Sequence, residues 1–223
     1  MSGYSFNFSF IWKNFDVVLL GLLTSLKLAV LALPLAAALG LLLAILHTDG
    51  NRLGRTVVAC YVETIRNAPL LLWVYIVFYG LPQLTGIRFD RVPSFLITLA
   101  AYGAAYLVEV FRSGLEAIPR GQIEAARAIG LRPWQVLAYV RLPMMLRIVA
   151  PALINSCISL FKDTSIAMVL GIPELAFTAQ WINTSTFRIV EAWLVILPMY
   201  LVTTYAIILG LRYLSSRIGP AGA

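Results

Sequence analysis

Five apolar runs, each long enough to cross a bilayer, limit what this chain can fold into. The hydrocarbon core is about 30 Å thick, and a helix needs about 20 apolar residues to span it. The runs cover about residues 17–46, 56–81, 92–111, 148–170 and 192–211 of the 223-residue sequence. Inside hydrocarbon a backbone must satisfy its own N–H and C=O groups, so each run is expected to be a helix. The first is longer than an upright crossing requires. It should tilt, bend or protrude, with Pro34 as the bending point. Composition agrees: 12% of residues are charged and 61% hydrophobic, with mean hydropathy +0.87, whereas soluble domains carry about 25% charged residues. One membrane domain fills the chain, with no repeat, linker or low-complexity tract.

The net charge of +7 is not a nucleic-acid footprint, because the bases lie between apolar runs rather than on a soluble basic face. Counting them orients the chain. One side would hold Arg52, Arg55, Arg112, Arg120, Arg127, Arg132, Arg141, Arg147, Arg212 and Arg217. The other would hold Lys13, Arg88, Arg91 and Arg188. The richer side is expected to be cytoplasmic. That puts the N-terminus outside and the C-terminus inside.

Residues 1–16 are aromatic, with Phe6, Phe8, Phe10, Trp12 and Phe15, and show no clear cleavage site. We expect an interfacial belt and a first run that stays as a signal anchor. Cys60 and Cys157 lie in apolar surroundings and are expected to be buried free thiols rather than a disulfide. His47, the single histidine, has no ligand cluster in the sequence around it, so no metal site is expected and it should mark a membrane edge. No catalytic nucleophile arrangement is plausible with one interfacial histidine. No G-x-x-x-x-G-K-[ST] is present, so the chain cannot cradle ATP phosphates through a P-loop.

The one sizeable polar segment lies between the third and fourth runs, over about residues 117–143. Pro119 can open a short helix, Gln122–Ile129 continues it, and Gly130 can end it. Pro133 can open a second, reaching about Val140. On residue chemistry alone this is an amphipathic surface segment held at the headgroups by its arginines and Trp134. Its spacing is more particular: Glu124-Ala125-Ala126, three residues, Gly130, then Leu142-Pro143. Ala125 and Ala126 would allow close approach of a partner, and Glu124 and Arg127 can share a helix face.

That spacing resembles the EAA signature of the membrane subunits of bacterial ABC importers. Glu109-Val110-Phe111-Arg112-Ser113-Gly114-Leu115 with Ile118-Pro119-Arg120-Gly121-Gln122 looks like the lead-in to this signature in the polar amino acid permeases. Leu160-Phe161-Lys162-Asp163-Thr164-Ser165 and Glu63-Thr64-Ile65-Arg66-Asn67-Ala68-Pro69-Leu70-Leu71 are similar to two further stretches of that subfamily, so the likeness spans about residues 17–212. It departs from the pattern at Asn67-Ala68, Trp73 and Met144-Met145.

The resemblance implies an all-α integral membrane protein with five transmembrane helices and cytoplasmic coupling helices. Residues 1–16 would be a periplasmic or interfacial segment, 17–212 the transmembrane domain and 213–223 a cytoplasmic tail, in the bacterial inner membrane. It implies ATPase coupling through Gly121, Glu124, Ala125, Ala126, Gly130, Leu142 and Pro143. It implies three protein partners: an ATP-binding cassette ATPase dimer, a second permease (identical or sister) and a solute-binding protein. Substrate would be a polar or charged amino acid, with glutamate, aspartate or glutamine favoured. The chain itself would hold no cofactor and catalyse nothing, ATP and magnesium belonging to the partner. Membrane lipid is its surroundings, and nucleic acid is not a partner.

Charges within or near the apolar runs are costly and face protein or water. Glu63, Arg66, Glu109, Lys162 and Asp163, with Thr164 and Ser165, are candidates for the substrate pathway. Structural pairing is the alternative, and it is favoured for Glu63 with Arg66, three residues apart. Lys162 and Asp163 are adjacent and do not face each other on a helix, so each needs a partner elsewhere. Lys27 is close enough to an edge to snorkel. Two other readings remain open: an ion-gradient transporter, which would more often show an internal repeat and more spans, and a non-transporting scaffold, which would not need acids and bases inside several spans.

Overall fold

The computed structural model describes residues 5–217. The first four residues of the expected N-terminal segment and the last six of the expected tail lie outside these. Every regular element among the described residues is helical. In chain order they are α1 (Ser9–Lys13), α2 (Phe15–Asp49), α3 (Arg52–Arg66), α4 (Leu70–Tyr75), α5 (Leu81–Thr85), α6 (Arg91–Glu116), α7 (Arg120–Ala128), α8 (Pro133–Val136), α9 (Leu142–Asp163), α10 (Leu175–Thr186) and α11 (Ile189–Arg217). Four helical stretches are long and apolar enough to cross a membrane, and the pair Arg52–Arg66 and Leu70–Thr85 makes a fifth when counted as one bent span.

The second span is therefore not the continuous helix expected over residues 56–81. It breaks at Asn67–Pro69, where Pro69 brings no N–H and disfavours helical geometry at Ala68. Asn67 closes α3 with its backbone N–H and its Nδ2, both donating to the Glu63 carbonyl at 3.1 and 2.8 Å. The first span, by contrast, stays helical through Pro34.

The second short helix expected to end near Val140 does not end there. It passes through a π-helical turn, Leu137–Arg141, directly into α9. The Leu142 N–H bonds the Leu137 carbonyl five residues back, one position before Pro143. A second π turn, Ile76–Gly80, ends the same way, with Leu81 N–H on the Ile76 carbonyl just before Pro82. A proline ring clashes with the carbonyl four residues earlier, and a widened turn gives it room without ending the helix. Pro34, Pro151 and Pro198 sit inside helices without such a turn.

The chain divides into two compact units. Among the described residues, the first comprises those within 1–33, 70–99 and 158–207, and the second those within 34–69, 100–157 and 208–223. All ten bases counted on the richer side lie in the second unit, and all four of the poorer side in the first.

The first unit is organised around Glu174, whose side chain is 0% exposed. It caps α10, its carboxylate accepting from the N–H groups of Ala176 and Phe177 at 2.9 and 2.7 Å. Tyr200 Oη of α11 donates to it at 3.0 Å, and Ser25 Oγ of α2 lies 3.2 Å away. Ser25 in turn accepts from the Leu175 N–H at 3.1 Å. One carboxylate thus ties three helices together. Burial pushes its carboxyl above the ordinary range, against the downward pull of these hydrogen bonds. The folded form therefore binds a proton more readily than the unfolded chain, so the stability linked to Glu174 is present at low pH and falls as pH rises through the raised value. Sequence reading did not anticipate α10, because Glu is not among the common capping residues.

Nearby, Ile11, Val18, Leu175, Ala179, Ile182, Ala192 and Ile196 form an apolar core, with Phe8, Phe10 and Phe15 packed against it. The N-terminal aromatics are thus only partly the expected belt: Phe10 meets Trp181 at 5.5 Å, while Phe6 and Trp12 stay exposed.

In the second unit the close approach is between α6 and α9. A Cβ on Gly114 would overlap Val149 Cγ1 and lie 2.9 Å from Met145 Cγ. Tyr61 of α3 donates to the Ala101 carbonyl of α6 at 2.5 Å. The cysteines are free, but Cys60 is exposed and Cys157 half-buried, not buried as expected. A membrane helix presents apolar residues outward, so an apolar neighbourhood in sequence does not imply burial within the chain.

Glu174→Ala leaves two backbone donors and a tyrosine hydroxyl unsatisfied and is expected to cost about 3 kcal/mol or more. Thermal unfolding in mild detergent reads this as a lower midpoint, with Glu174→Gln, which retains an acceptor, falling in between. In the same assay Gly114→Ala is expected to lose about 1–3 kcal/mol through overpacking, with Val149→Ala restoring part of it.

Candidate coupling segment and substrate-pathway residues

The segment expected to couple to a partner lies wholly in the second unit. Pro119 is the N-cap of α7, one position before the first helical residue where it was expected. At the other end Gly130 has φ +85°. Its N–H bonds the Arg127 carbonyl at 2.9 Å, and the Leu131 N–H bonds the Ala126 carbonyl at 3.2 Å. This is a Schellman termination, and it needs a residue without Cβ strain at the left-handed position. Two residues later the Arg132 N–H is bonded by Gln135 Oε1 at 2.8 Å, which starts α8. The turn is thus held by backbone bonds on one side and by a side-chain cap on the other.

Within α7, Gly121, Glu124, Ala125 and Arg127 are exposed, but Ala126 is buried. Only one of the two alanines is available to a partner; the other packs inward. Glu124 and Arg127 form no ion pair with each other. Beyond the turn, Ile129 is 78% exposed, and Trp134 and Tyr139 are exposed too, their rings 6.2 Å apart. Leu142 is half-buried and Pro143 exposed. The result is a short, fixed projection with one acid, a small-residue face and an apolar flank.

The pathway candidates fall into two groups. Glu63, Arg66 and Glu109 belong to the second unit, and Lys162, Asp163, Thr164 and Ser165 to the first. The expected pairing of Glu63 with Arg66 is not formed. Arg66 instead sits over the Tyr106 ring at 5.1 Å, a cation–π contact. Glu109 pairs with Arg112 at 2.7 Å, and Arg112 also reaches Glu116 at 3.0 Å. Glu109 therefore has a structural partner.

Lys162 and Asp163 end α9. Lys162 is exposed and Asp163 half-buried, and neither has an ion-pair or hydrogen-bond partner among the described residues. The chain then tightens into a 3-10 helix, Thr164–Leu170. Thr164 is fully buried, its hydroxyl donating to the Phe161 carbonyl at 2.7 Å, and Ser165 is half-buried. Thr164 is thus held within the chain, whereas Lys162 and Asp163 are not.

Sequence reading passed over two further polar contacts. Arg141 Nη1 holds Asp49, the last residue of α2, at 2.6 Å. Arg188 holds the fully buried Glu191 at 2.7 Å. The first could not be found by spacing, since Asp49 and Arg141 are 92 residues apart; the second stands three residues apart, a spacing that permits pairing, but Glu191 reads as an ordinary acid near a helix start.

Residues 36–220 match the family described as binding-protein-dependent transport system inner membrane component. A glutamine transport system permease protein of Escherichia coli K12 is 32% identical over 214 residues, covering 96% of this chain and 98% of that protein. An arginine transport system permease protein of Bacillus subtilis is 28% identical, covering 95% of each. The backbone matches the crystal structure of an amino acid ABC transporter with histidines at TM-score 0.86 and 29% identity, covering 96% of this chain and 100% of that one. Both relatives are named as permease proteins of transport systems. A chain with these spans, matched over this length, belongs to the family of binding-protein-dependent transport system inner membrane components, the type-1 permease domain of ABC transporters.

Proposed function

We propose that this permease subunit passes a polar or charged amino acid through the bacterial inner membrane, driven by a separate ATPase that binds the α7–α8 segment. The observation that carries the substrate class is Lys162–Asp163. Opposite charges stand side by side at the end of a membrane helix without protein partners among the described residues. An unpaired base and acid there are costly. They suit a solute carrying both a carboxylate and an ammonium, which every amino acid does. Glutamine and arginine appear in the names of the relatives above, and glutamate and aspartate fit the same pair.

The coupling reading rests on the exposed acid and small-residue face of α7 and on its fixed Gly130 turn. A rigid projection transmits a push, whereas a floppy loop would absorb it. Two cytosolic ATPase subunits would draw two such projections together on binding ATP, and release would follow hydrolysis. Five spans are few for a whole pathway, which favours a pair of permeases, identical or sister, fed by a solute-binding protein outside. In this reading the basic side faces the cytoplasm, with the N-terminus outside.

Uptake of labelled glutamine and arginine in a strain carrying Lys162→Met or Asp163→Asn should fall roughly tenfold or more, an effect of about 1.4 kcal/mol or above. Normal uptake with both variants would remove these residues from the pathway. For coupling, the wild-type chain purified in mild detergent from its host should bring a P-loop ATPase with it. Glu124→Arg with Gly130→Pro should lose that partner, since proline cannot adopt φ +85°. Retention of the ATPase by the variant would move the docking surface elsewhere.

A further inference from the structure

We propose that a cleft of about 530 Å³ at the ends of α2, α6 and α7 binds a phosphate-bearing anion, the headgroup of an anionic phospholipid. The cleft lies entirely in the second unit, and its ionisable lining is His47, Asp49, Arg55, Glu116, Arg120 and Arg141. Both acids are already engaged. Asp49 is held by Arg141 at 2.6 Å, and Glu116 by Arg112 at 3.0 Å. What remains is cationic. Arg120 has no ion-pair or hydrogen-bond partner among the described residues, and Arg55 spends one donor on the Thr48 carbonyl at 3.2 Å.

Two buried nitrogens in this lining, Nδ1 of His47 and Nε of Arg141, have no hydrogen-bond partner among the described residues. Nε of Arg141 carries a hydrogen, and a buried donor left unpaired costs about 1–3 kcal/mol, so an anion accepting from it would be retained. Arg141 is 15% exposed in its side chain and its charge is shared with Asp49, so what it offers an anion is its unpaired Nε–H. The first turn of α7 adds to this. Its cap is Pro119, which offers no side-chain acceptor, so no cap side chain competes with an anion at the helix start, whose first residue, Arg120, lines the cleft. Arginine forks match phosphate oxygens in pairs, which favours phosphate over a lone halide or carboxylate.

The lipid is favoured over a soluble phosphate by what adjoins the cleft. Leu46 and Leu53 are exposed in the neighbouring turns of α2 and α3, a setting for acyl chains below a charged headgroup. Basic pockets at the ends of membrane helices hold anionic lipids in this way. If the basic side is cytoplasmic, the lipid belongs to the inner leaflet; the binding itself does not depend on that orientation. The cleft shares Arg120 with α7, so occupancy would steady the base of the coupling projection.

The test is thermal unfolding of the full chain in mild detergent with dioleoylphosphatidylglycerol, dioleoylphosphatidylcholine or inorganic phosphate added. Phosphatidylglycerol is expected to raise the midpoint by about 4 °C, and phosphatidylcholine not to. Arg55→Gln with Arg120→Gln should lose most of that rise. Arg55→Lys with Arg120→Lys should keep most of it, and Lys13→Gln with Arg88→Gln, distant in sequence, should keep all of it. Should the double glutamine variant fail to fold, Arg120→Gln alone carries the comparison. A rise with millimolar phosphate but not with phosphatidylglycerol, lost in the same variant, keeps the anion site and makes its occupant soluble. Equal rises with both lipids, or a phosphatidylglycerol effect unchanged in the glutamine variants, would overturn the proposal.

Discussion

A backbone in hydrocarbon has no water to bond, so each N–H and C=O must be satisfied within its own helix or by a deliberate substitute. Much of this molecule follows from that demand. Pro82 and Pro143 would each clash within a regular helix, and in both cases a π turn ends two residues before the ring, with the intervening leucine bonded five residues back. The ladder is stretched but not cut. Pro69 is treated differently: the helix stops, and Asn67 fills the Glu63 carbonyl with two donors. Glu174 answers the same demand at the start of α10, where its carboxylate takes two free N–H groups and then recruits Tyr200 and Ser25. A capping need has become the link among three helices.

The charges then divide by task. Arg112 is shared by Glu109 and Glu116 along one helix, and Arg66 rests on Tyr106. Glu191 is buried and held by Arg188. Against this background of satisfied groups, Lys162 and Asp163 stand out because nothing described holds them. The same contrast separates Arg120 from Arg112. Perturbed or unpaired charges are informative here because a protein in a membrane gains little from leaving them idle.

The spans and the EAA spacing were legible in the sequence because each rests on local composition. Apolar length alone marks a membrane helix, and Gly130 alone permits the left-handed turn that ends α7. The Leu-Pro pairs at residues 81–82 and 142–143 were also readable, yet Pro34, Pro151 and Pro198 lie in helices without a π turn. A proline marks where strain arises and not how the helix absorbs it. Asn67-Ala68-Pro69 carried a clear stop signal that the surrounding apolar run masked.

Sequence by itself determined the membrane class, the number of spans to within the one bent pair, the basic segment and the family, because these follow from runs and spacings along the chain. Only the tertiary structure decided which charges are partnered. Glu63 and Arg66 lie three apart and do not pair, whereas Asp49 and Arg141 lie 92 apart and do. It also decided that Ala126 turns inward while Ala125 faces out, and that Glu174 is a hub. The physical reason is that charge pairing and burial depend on which helix faces meet, and a helix carries on its surface many more spacings than the fold brings into contact.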